Sequence, residues 1–135
     1  RRIVRREAAP RPVTATLKEH YVRGYLDLLR QEQGEEAVAG AARGLEAGTY
    51  SERVPHFGTV LLDATGHLWV QDFSVPWMPS QVWNVFDPAG KWLGEVLTPP
   101  GLLVTEIGEG YLLALARDDL GVQYVTAFRI ARGGK

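Results

Sequence analysis

Carboxylates are the residues of this chain best placed to do chemistry. Asp72 closes one apolar run, and Arg117-Asp118-Asp119 closes a later one. Carboxylates brought together can hold a divalent cation or work as an acid and base pair. Their bland role is that of solvated turn residues with an Arg–Asp pair. Trp77 is the other candidate. It stands in Ser74-Val75-Pro76-Trp77-Met78-Pro79-Ser80, a long loop in which two prolines stiffen the backbone and offer the indole to a partner. Trp69, Trp83 and Trp92 lie inside apolar runs and are expected to pack inward.

Other chemistries lack their residues. His20, His56 and His67 show neither HxH nor HExxH spacing, which argues against zinc. Ser51, Ser74 and Ser80 have no G-x-S-x-G context, and no G-x-G-x-x-G or phosphate loop occurs. With no cysteine, disulfides and thiol nucleophiles are excluded. No catalytic and no metal-ligating residue is assigned. Calcium is the one cofactor left in view, although the chain lacks the oxygen density of a calcium loop.

The elements that must position these residues are legible from turns. Asp63-Ala64-Thr65-Gly66, Asp87-Pro88-Ala89-Gly90 and Asp118-Asp119-Leu120-Gly121 all read D-x-x-G, the preference of a type I turn, and Pro88 sits where its fixed φ fits. They separate runs predicted as strands at 58–62, 67–73, 81–86, 91–97, 102–107, 111–117 and 123–130. Several runs are apolar on both faces, so most strands are expected to be covered on both sides. Upstream, Thr16-Leu17-Lys18-Glu19 matches a capping box, and Leu17, Tyr21, Tyr25, Leu28 and Leu29 mark a helix to about Glu32. A second helix is predicted over 35–45, and Gly48 stops it. Residues 1–7 read as a short strand of Ile3-Val4 among arginines, ended by Pro10 and Pro12.

The chain has 135 residues, enough for one domain with a core, and its 45% hydrophobic content is ordinary for a globular protein. No window approaches a membrane span, and the first residues have no apolar segment of the kind a signal peptide needs. Residues 1–30 carry eight Lys/Arg against three Asp/Glu, a net +5; the remainder carry seven against thirteen, a net −6. The arginines fit a strand edge kept soluble by charge.

Two stretches now carry a resemblance. Gly66-His67-Leu68-Trp69-Val70 with Trp83-Asn84-Val85-Phe86-Asp87-Pro88-Ala89-Gly90-Lys91-Trp92-Leu93-Gly94, and Ile107-Gly108-Glu109-Gly110-Tyr111 followed by Arg117 to Val122, resemble the last blades of bacterial six-bladed β-propellers of the NHL and TolB type. The resemblance implies a mainly β chain of propeller blades, each a four-stranded antiparallel meander, with an α-helical hairpin insertion. It divides the chain into a lone strand and Pro-rich link (1–12), the helical insertion (13–49) and two blades (50–135). The first blade, 57–98, is complete; the second, 101–131, has three strands. The resemblance places Asp72, Trp77, Arg117, Asp118 and Asp119 on a face that propellers use for ligands. It makes the helices, through Tyr21, Tyr25 and Leu29, a cap on that ring, with Tyr50 and His56 near its exit. Proteins of this group are often exported.

Two blades cannot close a ring, and a blade lacking its fourth strand exposes an edge. The expectation is that Ile3, Val4 and Arg5 of one chain add to the terminal blade of the next, beside Tyr124 and Phe128. Two blades per chain then give a cyclic trimer of six blades. The other partner expected is the remainder of a longer parent chain; nucleic acid is not expected. The functional expectation is a non-catalytic scaffold or binding module. The alternative is a metal-assisted, lactonase-like hydrolase with carboxylates at the ring mouth.

Overall fold

The computed structural model of the chain describes residues 3–5, 7–75 and 80–131. It is mainly β. The elements run β1 (Arg11–Pro12), α1 (Ala15–Gln33), α2 (Glu35–Ala47), β2 (Arg53–Val54), β3 (Phe57–Leu62), β4 (Leu68–Asp72), β5 (Gln81–Phe86), β6 (Trp92–Thr98), β7 (Leu103–Ile107), β8 (Tyr111–Arg117) and β9 (Gln123–Arg129). Three antiparallel sheets result: β1-β2, the four-stranded β3-β4-β5-β6, and the three-stranded β7-β8-β9. All seven predicted strands of the second half are present, within a residue or two of their predicted ends.

The three D-x-x-G turns share one construction. In each, the glycine N–H donates to the Asp carbonyl (3.1, 2.8 and 2.9 Å), closing a four-residue turn. Gly66, Gly90 and Gly121 then take φ of 84°, 87° and 78°, a left-handed step that a side chain resists. The Asp carboxylate also accepts from the backbone N–H four residues on, that of His67, Lys91 or Val122. Asp and Gly together fix each hairpin locally, and consecutive strands therefore pair.

Strand alternation sends one face of each large sheet into a shared core. Trp69, Trp83 and Val85 from the four-stranded sheet meet Val104, Ile107, Leu112, Ala114 and Ala116 from the three-stranded one. The bulk comes from tryptophans on one side and the close approach from alanines on the other. A buried polar chain ties the same seam. Trp83 Nε1 donates to Thr98 Oγ1 (3.2 Å), Thr98 Oγ1 to Gln81 Oε1 (3.2 Å), and Gln81 Nε2 to the Leu102 carbonyl (3.1 Å) at the entry to β7. On the opposite face Asn84, 1% exposed, donates to Asp72 (2.9 Å) and accepts from Trp92 Nε1 (3.1 Å).

The helices form an antiparallel pair, with two differences from the sequence reading. Thr14, not Thr16, caps α1: its backbone is extended and its Oγ1 accepts from Leu17 N at 3.1 Å. Pro12 holds the chain extended up to that point, so the turn begins two residues earlier than the capping-box pattern places it. Residues 3–5 lie in no strand of this chain, and the prolines do not merely end one. Arg11–Pro12 pairs with Arg53–Val54, and Val13 N donates to the Glu52 carbonyl (3.0 Å). This short ladder closes the base of the helical hairpin. Arg11 fastens it to the loop after β4 by donating to the Phe73 carbonyl at 3.0 Å.

Trp83→Ala removes the more deeply buried of the two seam tryptophans and should cost about 3–5 kcal/mol. A urea melt should show its midpoint lowered with little change in slope; an unchanged midpoint would refute this account of the core.

Candidate functional site

The described sequence-predicted site residues each have a partner within the fold or stand at a turn. Asp72 ends β4 and accepts from Asn84, so it works as the partner of a buried amide. Arg117 ends β8 and pairs with Glu32 of α1 at 3.3 Å, which joins the helical insertion to the three-stranded sheet. Both partners are half exposed, and such a pair contributes about 0–1 kcal/mol. Asp118 caps its own turn through Leu120 N and Val122 N, both at 2.9 Å. Asp119 is exposed beside it. Trp77 lies outside the described residues. Among the described residues no three His, Asp or Glu side chains gather as a metal site would need.

At this end of the molecule, Gln71, Ser74 and Gln81 border a cleft of about 290 Å³ with Trp83 and Leu102. Tyr21 and Tyr50, expected over a ring face, line a smaller apolar groove with Phe73 and Val75. Tyr21 stacks on Tyr25, and the Lys18 ammonium lies 4.1 Å from the Tyr50 ring centroid.

The densest polar constellation sits at the opposite end, in the β3–β4 turn. Asp63, with a side chain 9% exposed, accepts from Thr65 N (2.9 Å), Thr65 Oγ1 (2.8 Å), His67 N (2.9 Å) and Trp69 Nε1 (3.1 Å). His67 Nδ1 lies 3.1 Å from Asp63 Oδ2 and 2.7 Å from Thr65 Oγ1. Since Thr65 Oγ1 already donates to Asp63, the consistent arrangement has Nδ1–H donating to both, so that in the neutral ring Nε2 is the acceptor. Asp63, Thr65, His67 and Trp69 border a cleft of about 470 Å³ between the two sheets. Glu109 lines its mouth from the β7–β8 turn, and Val85, Leu93 and Ile130 supply apolar walls. A backbone bond from Ala64 N to the Ile107 carbonyl (3.0 Å) holds the two turns together.

Burial alone would raise the Asp63 pKa. The hydrogen bonds from Trp69, His67 N and Thr65 outweigh it and hold the group at about 2, against an ordinary 3.8. Sequence reading tested His67 only for zinc spacing and Asp63 only as a turn residue. The missed signal was the polar alternation Asp63, Thr65, His67, Trp69, which puts four side chains on one side of the hairpin.

The strand-exchange residues divide as well. Tyr124 is half exposed on β9, whereas the Phe128 side chain packs against the core. Only the Phe128 backbone remains at the outer edge of the sheet. No family model matches the chain, and neither a curated protein nor a solved structure matches it.

A carboxylate with a lowered folded pKa stabilises the fold above its unfolded pKa, and that contribution is lost as acid protonates it in the folded state. For Asp63 the contribution is about 2 kcal/mol. It should fade between about pH 4 and pH 2. Asp63→Asn should lower stability at neutral pH by a comparable amount and flatten that acid limb in chemical denaturation. An acid limb identical to that of the parent chain would refute the assignment.

Proposed function

We propose that this chain is a non-catalytic scaffold or binding module whose two large sheets act as propeller blades and whose copies close into a ring. The observation that carries this reading is apolar surface on both outward faces of the two-sheet stack. On the four-stranded sheet the row Leu62, Leu68, Phe86, Trp92 crosses all four strands; Phe86 is buried within it, Leu62 and Trp92 are exposed at its ends, and Leu97 is exposed on the same face further along β6. Leu62 is 70% exposed and Leu97 68%. On the three-stranded sheet Leu103, Leu115 and Val125 form the matching row, with Leu103 57% and Val125 65% exposed. Monomeric proteins rarely expose several large apolar side chains on each of two opposite faces.

The two outward faces differ from one another, so a contact between copies is head-to-tail and must close by rotation or run on as a fibre. The edge of β9 supports closure. Among the described residues β9 pairs only with β8, and it occupies the third position of a sheet whose neighbour has four strands. Ile3 is 66% exposed, in no ladder of its own chain, and Val4 follows it. A leader of this kind, basic and apolar by turns, suits addition to the β9 edge of the next copy, the β-augmentation mode of recognition. Two blades per chain make a six-bladed ring from three chains.

Light scattering should give three times the 14.9 kDa of one chain. Leu97→Asp on one outward face, Val125→Asp on the other, or removal of residues 1–9 should each reduce the mass to one chain. Both side chains are exposed within the chain, so folding should survive to within about 0.5 kcal/mol. A single-chain mass for the unaltered protein would contradict the ring and assign its apolar faces to blades beyond these residues.

A further inference from the structure

From the Asp63–Thr65–His67 cleft we infer a second binding site, one for a small amine carrying an aromatic or aliphatic body. The three D-x-x-G hairpins act as internal controls. All three close with an Asp carboxylate and a left-handed Gly, and at the other two the residues matching Thr65, His67 and Trp69 are Ala89, Lys91 and Leu93, and Leu120, Val122 and Tyr124. The turn itself therefore needs neither a histidine nor a threonine side chain. Both occur at the one of the three hairpins whose Asp and turn residues border the 470 Å³ cleft; the Asp87 hairpin reaches it only through Val85 and Leu93 of its strands.

The lining names the ligand class. Its walls are apolar: Trp69, Val85, Leu93 and Ile130. Its polar groups are acceptors or anions. In the neutral ring His67 Nε2 accepts because Nδ1 is committed to Asp63 and Thr65, Glu109 lines the same space, and among the described residues no Lys or Arg does. A ligand that buries an apolar body and presents N–H donors with a positive charge matches this set. An anion would face the Asp63 and Glu109 carboxylates with no compensating Lys or Arg among the described lining residues. The site lies between two sheets of the same chain and so does not depend on ring closure.

The test uses the whole chain labelled with 15N and titrated with phenethylamine, its neutral analogue 2-phenylethanol and its anionic analogue 3-phenylpropionate. Phenethylamine should shift the Trp69 indole N–H and the His67 ring nitrogens saturably, and the carboxylate should not. Glu109→Gln, on an exposed turn, should weaken binding roughly two- to fivefold, the worth of one solvated ion pair. His67→Gln should weaken it roughly tenfold or more, the worth of a charge-assisted hydrogen bond. Its backbone N–H still caps the turn, so the fold is retained. Saturable shifts of equal affinity with the alcohol or the carboxylate would overturn the amine assignment. An absence of saturable shifts with all three would overturn the site. Solution mass measured on the same samples reads the ring separately, so one idea can fail while the other stands.

Discussion

The whole architecture depends on one seam, the contact between the inner faces of the two large sheets. Each sheet alone would have a wet face on both sides and little reason to persist. Tryptophans from β4 and β5 fill the space that Ala114 and Ala116 of β8 leave open, and Ala114 is wholly buried as a result. The Trp83–Thr98–Gln81–Leu102 chain adds direction to a contact that apolar packing alone would leave free to slide. Both clefts of interest open at the ends of this seam, so its alignment sets their shape.

Local chemistry delivers the strands to that seam. A D-x-x-G hairpin specifies its own closure through the Asp carboxylate and a left-handed glycine, and needs no tertiary help. For this reason the second half of the chain was legible residue by residue: turn signals fixed the strand order, and strand order fixed the antiparallel pairing. The helical hairpin was legible for the same reason, from Leu17, Tyr21, Tyr25 and Leu28 at helical spacing and from Gly34, whose φ of 83° separates the helices.

What was not legible depended on contacts distant in sequence. Thr14 and Thr16 are equivalent as capping residues, and only the ladder joining Arg11–Pro12 to Arg53–Val54 decides between them. Arg117 reads as the partner of the adjacent aspartates, yet Glu32 takes it from 85 residues away. Asp72 also accepts from the buried Asn84 of the neighbouring strand, a contact that the sequence pattern does not show. His67 carries no recognisable motif. Its significance arises only when the β7–β8 turn is brought alongside by the bond from Ala64 N to the Ile107 carbonyl and closes a cleft around it.

Such a stack has an inherent asymmetry, because the seam consumes one face of each sheet and leaves exposed apolar side chains such as Leu62, Leu97, Leu103 and Val125 on the other. Four strands stand beside three, and among the described residues the outer edge of β9 has no partner strand. That edge offers the sharpest test. Hydrogen–deuterium exchange of the intact chain should find the outward-pointing amides of β9 protected to the same order as those bonded to β8, with protection rising as chain concentration rises. Rapid exchange of the outward set at every concentration, while the inward set stays protected, would show an edge that no strand covers and would contradict the account.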